Sequence, residues 1–130
     1  RGPPREDAEP LASTVLELPG VARAGPGLVH ARTEPLEGSP EAPVVAVDSA
    51  ACAGALRVRP VEPGDRIAWH GMERKVSDLL INEKVPAWER TGMVAIADGK
   101  GVVALFGARH TFARDGGEPD LWIRLTAIAR

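Results

Sequence analysis

Eight of the twelve prolines in this 130-residue chain fall before residue 44, so its first third is cut into pieces too short for regular helices. Residues 1–12 are polar, proline-bearing and without periodicity, which predicts a flexible leader. Thr14–Leu18 then reads as a strand closed by Pro19-Gly20. Val21–Arg23 and Leu28–Thr33 flank Gly25-Pro26-Gly27 as a hairpin. A second loop, Glu34–Pro43, is rich in Pro, Glu and Gly and marks a boundary. The expected organisation is a leader at 1–12, a β-rich connecting segment at 13–43 and a C-terminal domain at 44–130. The length suits one domain with an appendage, since single cores run to about 100–150 residues.

Beyond Pro43 the pattern changes. Val44–Val47 is wholly apolar and reads as a buried strand. Asp48 or Ser49 can cap a short helix ended by Gly54. Ala55–Val61 alternates as a strand with Leu56 and Val58 inward and Arg57 and Arg59 outward. Pro63-Gly64-Asp65 turns the chain into Arg66–Trp69. A helix is expected over Lys75–Lys84, where Val76, Leu79 and Leu80 share a face and Ser77 or Asp78 can satisfy first-turn amides. Pro86 ends it and presets the turn Ala87–Arg90. Gly92–Ala97 and Val102–Phe106 read as a hairpin around the tight-turn pair Asp98-Gly99. Arg109–Ala113 and Leu121–Ala129 give two more strands. The fold class is α+β: a strand-dominated single core with one or two short helices.

Composition excludes several classes. A net charge of −2 is not that of a uniformly basic nucleic-acid binder. The charge is uneven, however: residues 1–56 hold four Arg and eight acids, giving −4, and residues 57–130 hold twelve bases and ten acids, giving +2. An anion-binding face would be a local patch in the second part. No apolar run reaches the roughly 18 residues a membrane-spanning helix needs. Cys52 is the sole cysteine, so no internal disulfide or thiolate cluster can form; it reads as a buried structural thiol in a reducing cytoplasm. Opening on Arg1 rather than Met, the chain is expected to be part of a larger protein.

Reaction chemistry is hard to place. His30, His70 and His110 stand outside any recognised ligand spacing and read as exposed or hydrogen-bonded groups, and the acidic run Asp115–Asp120 reads as a turn. There is no nucleophile elbow and no glycine-rich phosphate loop. A basic constellation remains: Arg57 and Arg59 on one strand face, Arg66 leaving a turn, Arg74 and Lys75 before the helix, Lys84 and Arg90 after it. Cations presented from turns suit phosphate contacts. Six interleaved acids fit a solvated, salt-bridged face better on charge pattern alone. Trp69 and Trp88 read as core pieces rather than base-stacking platforms.

The order of residues adds a resemblance. Arg57-x-Arg59-x-x-x-Pro63-Gly64-Asp65-Arg66, Gly71-Met72, Lys75–Ile81, Lys84-Val85-Pro86 and Glu89-Arg90, followed by an apolar strand, Asp98-Gly99, a second strand and Gly107-Ala108-Arg109, resemble the C-terminal domain of tRNA(Ile)-lysidine synthetases. The likeness covers residues 55–113 well and residues 14–54 loosely. The chain departs from it in a shorter segment between Gly71 and Lys75 and in Asn82, where Asp is common. The resemblance implies a domain also akin to one in the phenylalanyl-tRNA synthetase β-subunit, engaging the acceptor-stem region of tRNA(Ile) with a CAU anticodon. It implies a parent that uses ATP, with magnesium, to adenylate C2 of cytidine 34 and then attach lysine. In such enzymes catalysis belongs to an N-terminal domain with a Ser-Gly-Gly-x-Asp-Ser loop that this sequence lacks, so no catalytic, cofactor or metal residues are expected here. The tRNA-binding residues expected are Arg66, Arg74, Lys75, Lys84 and Arg90, because they bracket one turn, both ends of the helix and the following turn, with Arg57, Arg59 and Arg109 as flankers. The alternative is a non-catalytic protein-interaction or structural β-rich domain that keeps the fold without RNA binding.

Overall fold

Val94–Ala97 and Val102–Phe106 carry no charged residue, and every residue of the two strands is buried. An antiparallel pair apolar on both faces must be covered on both sides, and the rest of the chain supplies the covers. The computed structural model describes residues 14–17, 20–24, 27–39, 42–115 and 117–127. The expected leader at 1–12 lies outside them. In chain order the elements are β1 Thr14–Leu16, β2 Gly20–Ala24, β3 Gly27–Arg32, β4 Val44–Val47, β5 Leu56–Pro60, β6 Arg66–Trp69, β7 Met72–Lys75, α1 Val76–Asn82, α2 Ala87–Arg90, β8 Val94–Ala97, β9 Val102–Phe106, β10 Thr111–Ala113 and β11 Leu121–Ala127. A 3₁₀ turn at Ser49–Ala51 is capped by Asp48, whose carboxylate accepts from the Ala50 N–H at 3.0 Å.

Among the described residues the strands form two sheets. The larger runs β1-β5-β8-β9-β6-β7 with β10 also on β9, and the smaller runs β2-β3-β11-β4. On one face of the larger sheet, Val94, Ile96, Val103, Ala104 and Phe106 pack with Ala22, Val29, Val45, Leu121 and Ile123 of the smaller sheet. On the other face, Ala95, Val102 and Leu105 pack with Val76, Leu79 and Leu80 of α1 and with Val85 beyond it. The class is therefore α+β and strand-dominated, in three layers. The helix covers one face of the sheet, while a second sheet covers the other.

Alternation along β9 breaks at Val103 and Ala104, which face the same side. The register explains it: Ile96 pairs with Ala104 but Ala97 pairs with Val102, leaving Val103 as the extra residue of a β-bulge. Residues 13–43 contribute β1, which pairs with β5, and the β2–β3 hairpin, which pairs through β3 with β11. Leu16, Ala22, Val29 and Ala31 thus share a core cluster with strands from residues 44–130.

The helix is shorter than the sequence pattern predicts. Its first amide, Val76 N–H, donates to the Asp65 carbonyl at 2.9 Å; neither Ser77 nor Asp78 caps it, because the chain enters directly from β7. Its end is set before Pro86. Lys84 adopts φ 62°, its N–H donates to Ile81, and the Val85 N–H donates to Leu80 at 2.9 Å. That pattern, with Val85 and Leu80 both buried in the core, is a Schellman ending with a lysine at the left-handed position. Pro86 instead opens α2.

Leu80 is 3 % exposed and its neighbour Ile81 is 62 % exposed. In urea unfolding, Leu80→Ala should lose about 2–5 kcal/mol and Ile81→Ala no more than about 1 kcal/mol. Similar losses at the two positions would contradict this placement of α1.

Candidate functional site

The strand β7 has no apolar alternation, which is why its sequence does not announce it. It forms because β6 offers a free edge and because His70 and Gly71, at φ 51° and 83°, make the two-residue left-handed turn that matches strand twist. Arg66 then lies directly across from Lys75, and Ile67 across from Arg74. Arg66, Arg74 and Lys75 line one open depression with Met72, Glu73 and Asp78. Arg74 is half-buried, and its Nε is shut off from solvent without a hydrogen-bond partner. Lys75 and Ile81 also line an adjoining depression that reaches Arg90 and Thr91, so the two make one track across the start of α1.

Other cations of the run are placed differently. Arg59 is turned inward: Nη1 and Nη2 donate to Asp65 Oδ2 and Oδ1, each at 2.9 Å, and this fork raises the Arg59 pKa. Asp65 also accepts from the Glu62 N–H, so the Arg59–Asp65 pair closes the Pro-Gly-Asp-Arg turn whose carbonyl starts α1. Arg57 lies exposed on β5, with β8 and β9 between it and β6. Arg109 lies in the β9–β10 loop, lining a separate hollow with Pro43 and Thr111. Lys84 is exposed at the left-handed end of α1, and Arg90 donates Nη1 to the Val85 carbonyl at 2.8 Å, clasping the α1–α2 connection. The structure therefore gathers Arg66, Arg74, Lys75 and Arg90 along one track and commits Arg59 to architecture. Four acids line the track as well (Glu62, Asp65, Glu73 and Asp78), of which Asp65 is already met by Arg59.

Two more carboxylates are internal anchors: Glu89, which reads as one of the interleaved acids, and Asp98, which reads as part of a tight turn. Glu89 is 2 % exposed, and its Oε2 accepts from the Arg109 and His110 N–H groups at 2.6 and 2.7 Å. Its Oε1 lies 3.0 Å from His110 Nδ1. A Cβ on Gly107 would come within 2.6 Å of Glu89 Oε2, so Gly107 is the residue that admits the carboxylate. Asp98 does not head a two-residue turn. Its carboxylate accepts from Ala53, Lys100 and Gly101 N–H groups and from Arg114, tying the longer 98–101 connection to two other segments. Burial works to raise the Asp98 pKa, but these bonds outweigh it and hold the group below its ordinary value.

Asp120 and Asp115 also serve structure. Asp120 accepts from the Ser49 N–H and hydroxyl, each at 2.8 Å, and Asp115 accepts from the Gly71 N–H. Cys52 is half-buried, and burial pushes its thiol pKa up. Among the described residues no three His, Cys, Asp or Glu side chains gather as a metal set, and no helix is long and apolar enough to cross a membrane. Trp69 is half-buried, stacked on His70 and edge-on to Phe112, as a core piece should be. Trp88 is 61 % exposed, contrary to the core placement its residue type suggests: α2 turns Glu89 inward, and the preceding side chain faces solvent. Exposed Ile81 lies outside the apolar face of α1, and exposed Met72, on β7, had no signal in the sequence.

These features define a three-layer α+β domain with cations set along the edge hairpin and the helix beside it. The profile of the TilS substrate C-terminal domain family matches residues 56–124, from the start of β5 into β11, and the chain belongs to that family. A solved structure described as the TILS C-terminal domain aligns with 92 % of this chain and 100 % of its own, at a TM-score of 0.54 and 20 % identity, and so shares its fold. No curated protein matches the chain.

Glu89 gives the site an acid dependence. Burial works to raise its pKa, but the bonds from Arg109 and His110 outweigh it and hold the carboxyl below its ordinary 4.5. An unfolded chain takes up this proton at higher pH than the native one. The stabilisation is therefore complete above about 4.5 and is lost as pH falls through the lower native value. Glu89→Gln should cost about 2–3 kcal/mol at neutral pH and flatten the acid limb of stability measured by urea unfolding; an unchanged limb would contradict the anchor role.

Proposed function

We propose that this chain is the tRNA-contacting C-terminal part of a tRNA(Ile)-lysidine synthetase and does no chemistry alone. Family membership supports the reading, and the observation that carries it is the Arg66–Arg74–Lys75 group lining one open depression. Phosphate oxygens satisfy forked and point cations of this kind and fix the position of an RNA without reading its bases. The acceptor-stem region of tRNA(Ile) would lie along the track. Recognition of cytidine 34 in the CAU anticodon, ATP with magnesium, and lysine transfer to C2 would belong to the N-terminal catalytic domain of a cytoplasmic parent.

Arg74→Glu/Lys75→Glu should weaken tRNA binding by this chain to a similar degree across tRNA sequences. It should also flatten the plot of log affinity against log salt by about one unit per lost contact. Circular dichroism is the control for folding, since exposed Lys75 holds no more than about 1 kcal/mol of stability while Arg74 is half-buried. Unchanged affinity and slope would favour a protein-interaction domain instead, with exposed Met72 and Ile81 as its contact residues.

A further inference from the structure

Among the described residues, Trp88 is one of the large apolar side chains left exposed, with Met72 and Ile81. A tryptophan at 61 % exposure keeps most of an apolar ring in water, and residues of this size are usually taken into a core or an interface. Its position is also fixed. The next residue, Glu89, is buried and holds three groups of the β9–β10 loop, so α2 cannot roll to bring the ring inward. The Trp88 carbonyl accepts from Thr91 Oγ1 at 3.2 Å, and Thr91 lines the cationic track with Arg90 and Lys75. The backbone of α2 is therefore fixed where Arg90 and Thr91 line the track, and Trp88 stands exposed on that helix.

Resting on the phosphate-contact reading above, we infer that Trp88 is a stacking platform for an unpaired nucleobase of the bound RNA. The occupant is an RNA base rather than a protein side chain because α2 ends on Arg90, which lines the cationic track, and follows exposed Lys84 in the chain. A base offers a π-face to the indole while its own phosphates meet the cations, a combination that single-strand binding surfaces use without reading sequence. A base held in a duplex has both faces covered by its neighbours, so the surface would select a strand end or a splayed nucleotide.

The test uses this full chain and two labelled RNAs, a short hairpin with a single-stranded tail and the same hairpin with a blunt end, read by fluorescence anisotropy over a salt series. The unsubstituted chain should bind the tailed RNA about tenfold more tightly than the blunt one, the size of one stacked base. Trp88→Ala should remove that preference while leaving blunt-end affinity and the salt slope unchanged, and Trp88→Phe should keep most of it. Equal binding of the two RNAs by the unsubstituted chain, or a tail preference that survives Trp88→Ala, would overturn the inference and leave the phosphate contacts standing. Failure to bind either RNA would overturn both.

Discussion

Burial of the β8–β9 hairpin on both faces is the constraint on which the rest of the molecule depends. Nothing in those strands can face water, so one side must meet the β2-β3-β11-β4 sheet and the other must meet α1. With few aromatic side chains, the layers are filled by Val, Leu, Ile and Ala, whose packing tolerates little loss of volume. The bulge at Val103 is part of the same solution. It shifts the face presented partway along β9, so that Leu105 still reaches α1 while Phe106 reaches the second sheet.

Loops between these layers are fastened by carboxylates, and this sorts the charges of the basic run into two kinds. Asp65 takes Arg59, Glu89 takes the amides of the Gly107-x-Arg109 loop and the His110 ring, and Asp98 takes Arg114 and three amides. The Pro-Gly-Asp-Arg turn, the Glu-Arg pair, the Asp-Gly pair and the Gly-x-Arg element are therefore parts of a scaffold before they are parts of a surface. Arg66, Arg74 and Lys75, by contrast, sit on a short hairpin at the edge of the sheet, where the fold makes least use of them. Edge strands are often charged to discourage pairing with another chain, and here that placement also concentrates cations along one rim.

The sequence made the apolar strands, the helix core at Val76, Leu79 and Leu80, and the α+β class readable, because each rests on local periodicity. What it concealed depends on tertiary partners. β7 has no apolar pattern of its own and exists through its pairing with β6, as the left-handed His70-Gly71 turn allows. Glu89 looks like one more exposed acid until the β9–β10 loop folds back to donate to it. For the same reason Arg57, Arg59 and Arg66 look equivalent in a charge pattern. The structure separates them into an outlying cation, a half-buried fork paired with Asp65 and a member of the track.

A chain of net charge −2 can still hold a polyanion if its charges are far enough apart. The described acids of residues 1–56 are Glu17, Glu34, Glu37 and Asp48, and Glu17 follows β1, at the end of the larger sheet away from β6 and β7. Four strand spacings, about 19 Å, separate β1 from β6. At physiological salt the screening length is about 8 Å, so repulsion from that side is largely damped where Arg66 and Lys75 stand. Nearer acids matter more, and Glu73 and Asp78 line the same depression as the cations. Their presence limits the affinity of the track but leaves its geometry intact, which suits a surface that positions a large anion for a neighbouring domain rather than gripping it alone.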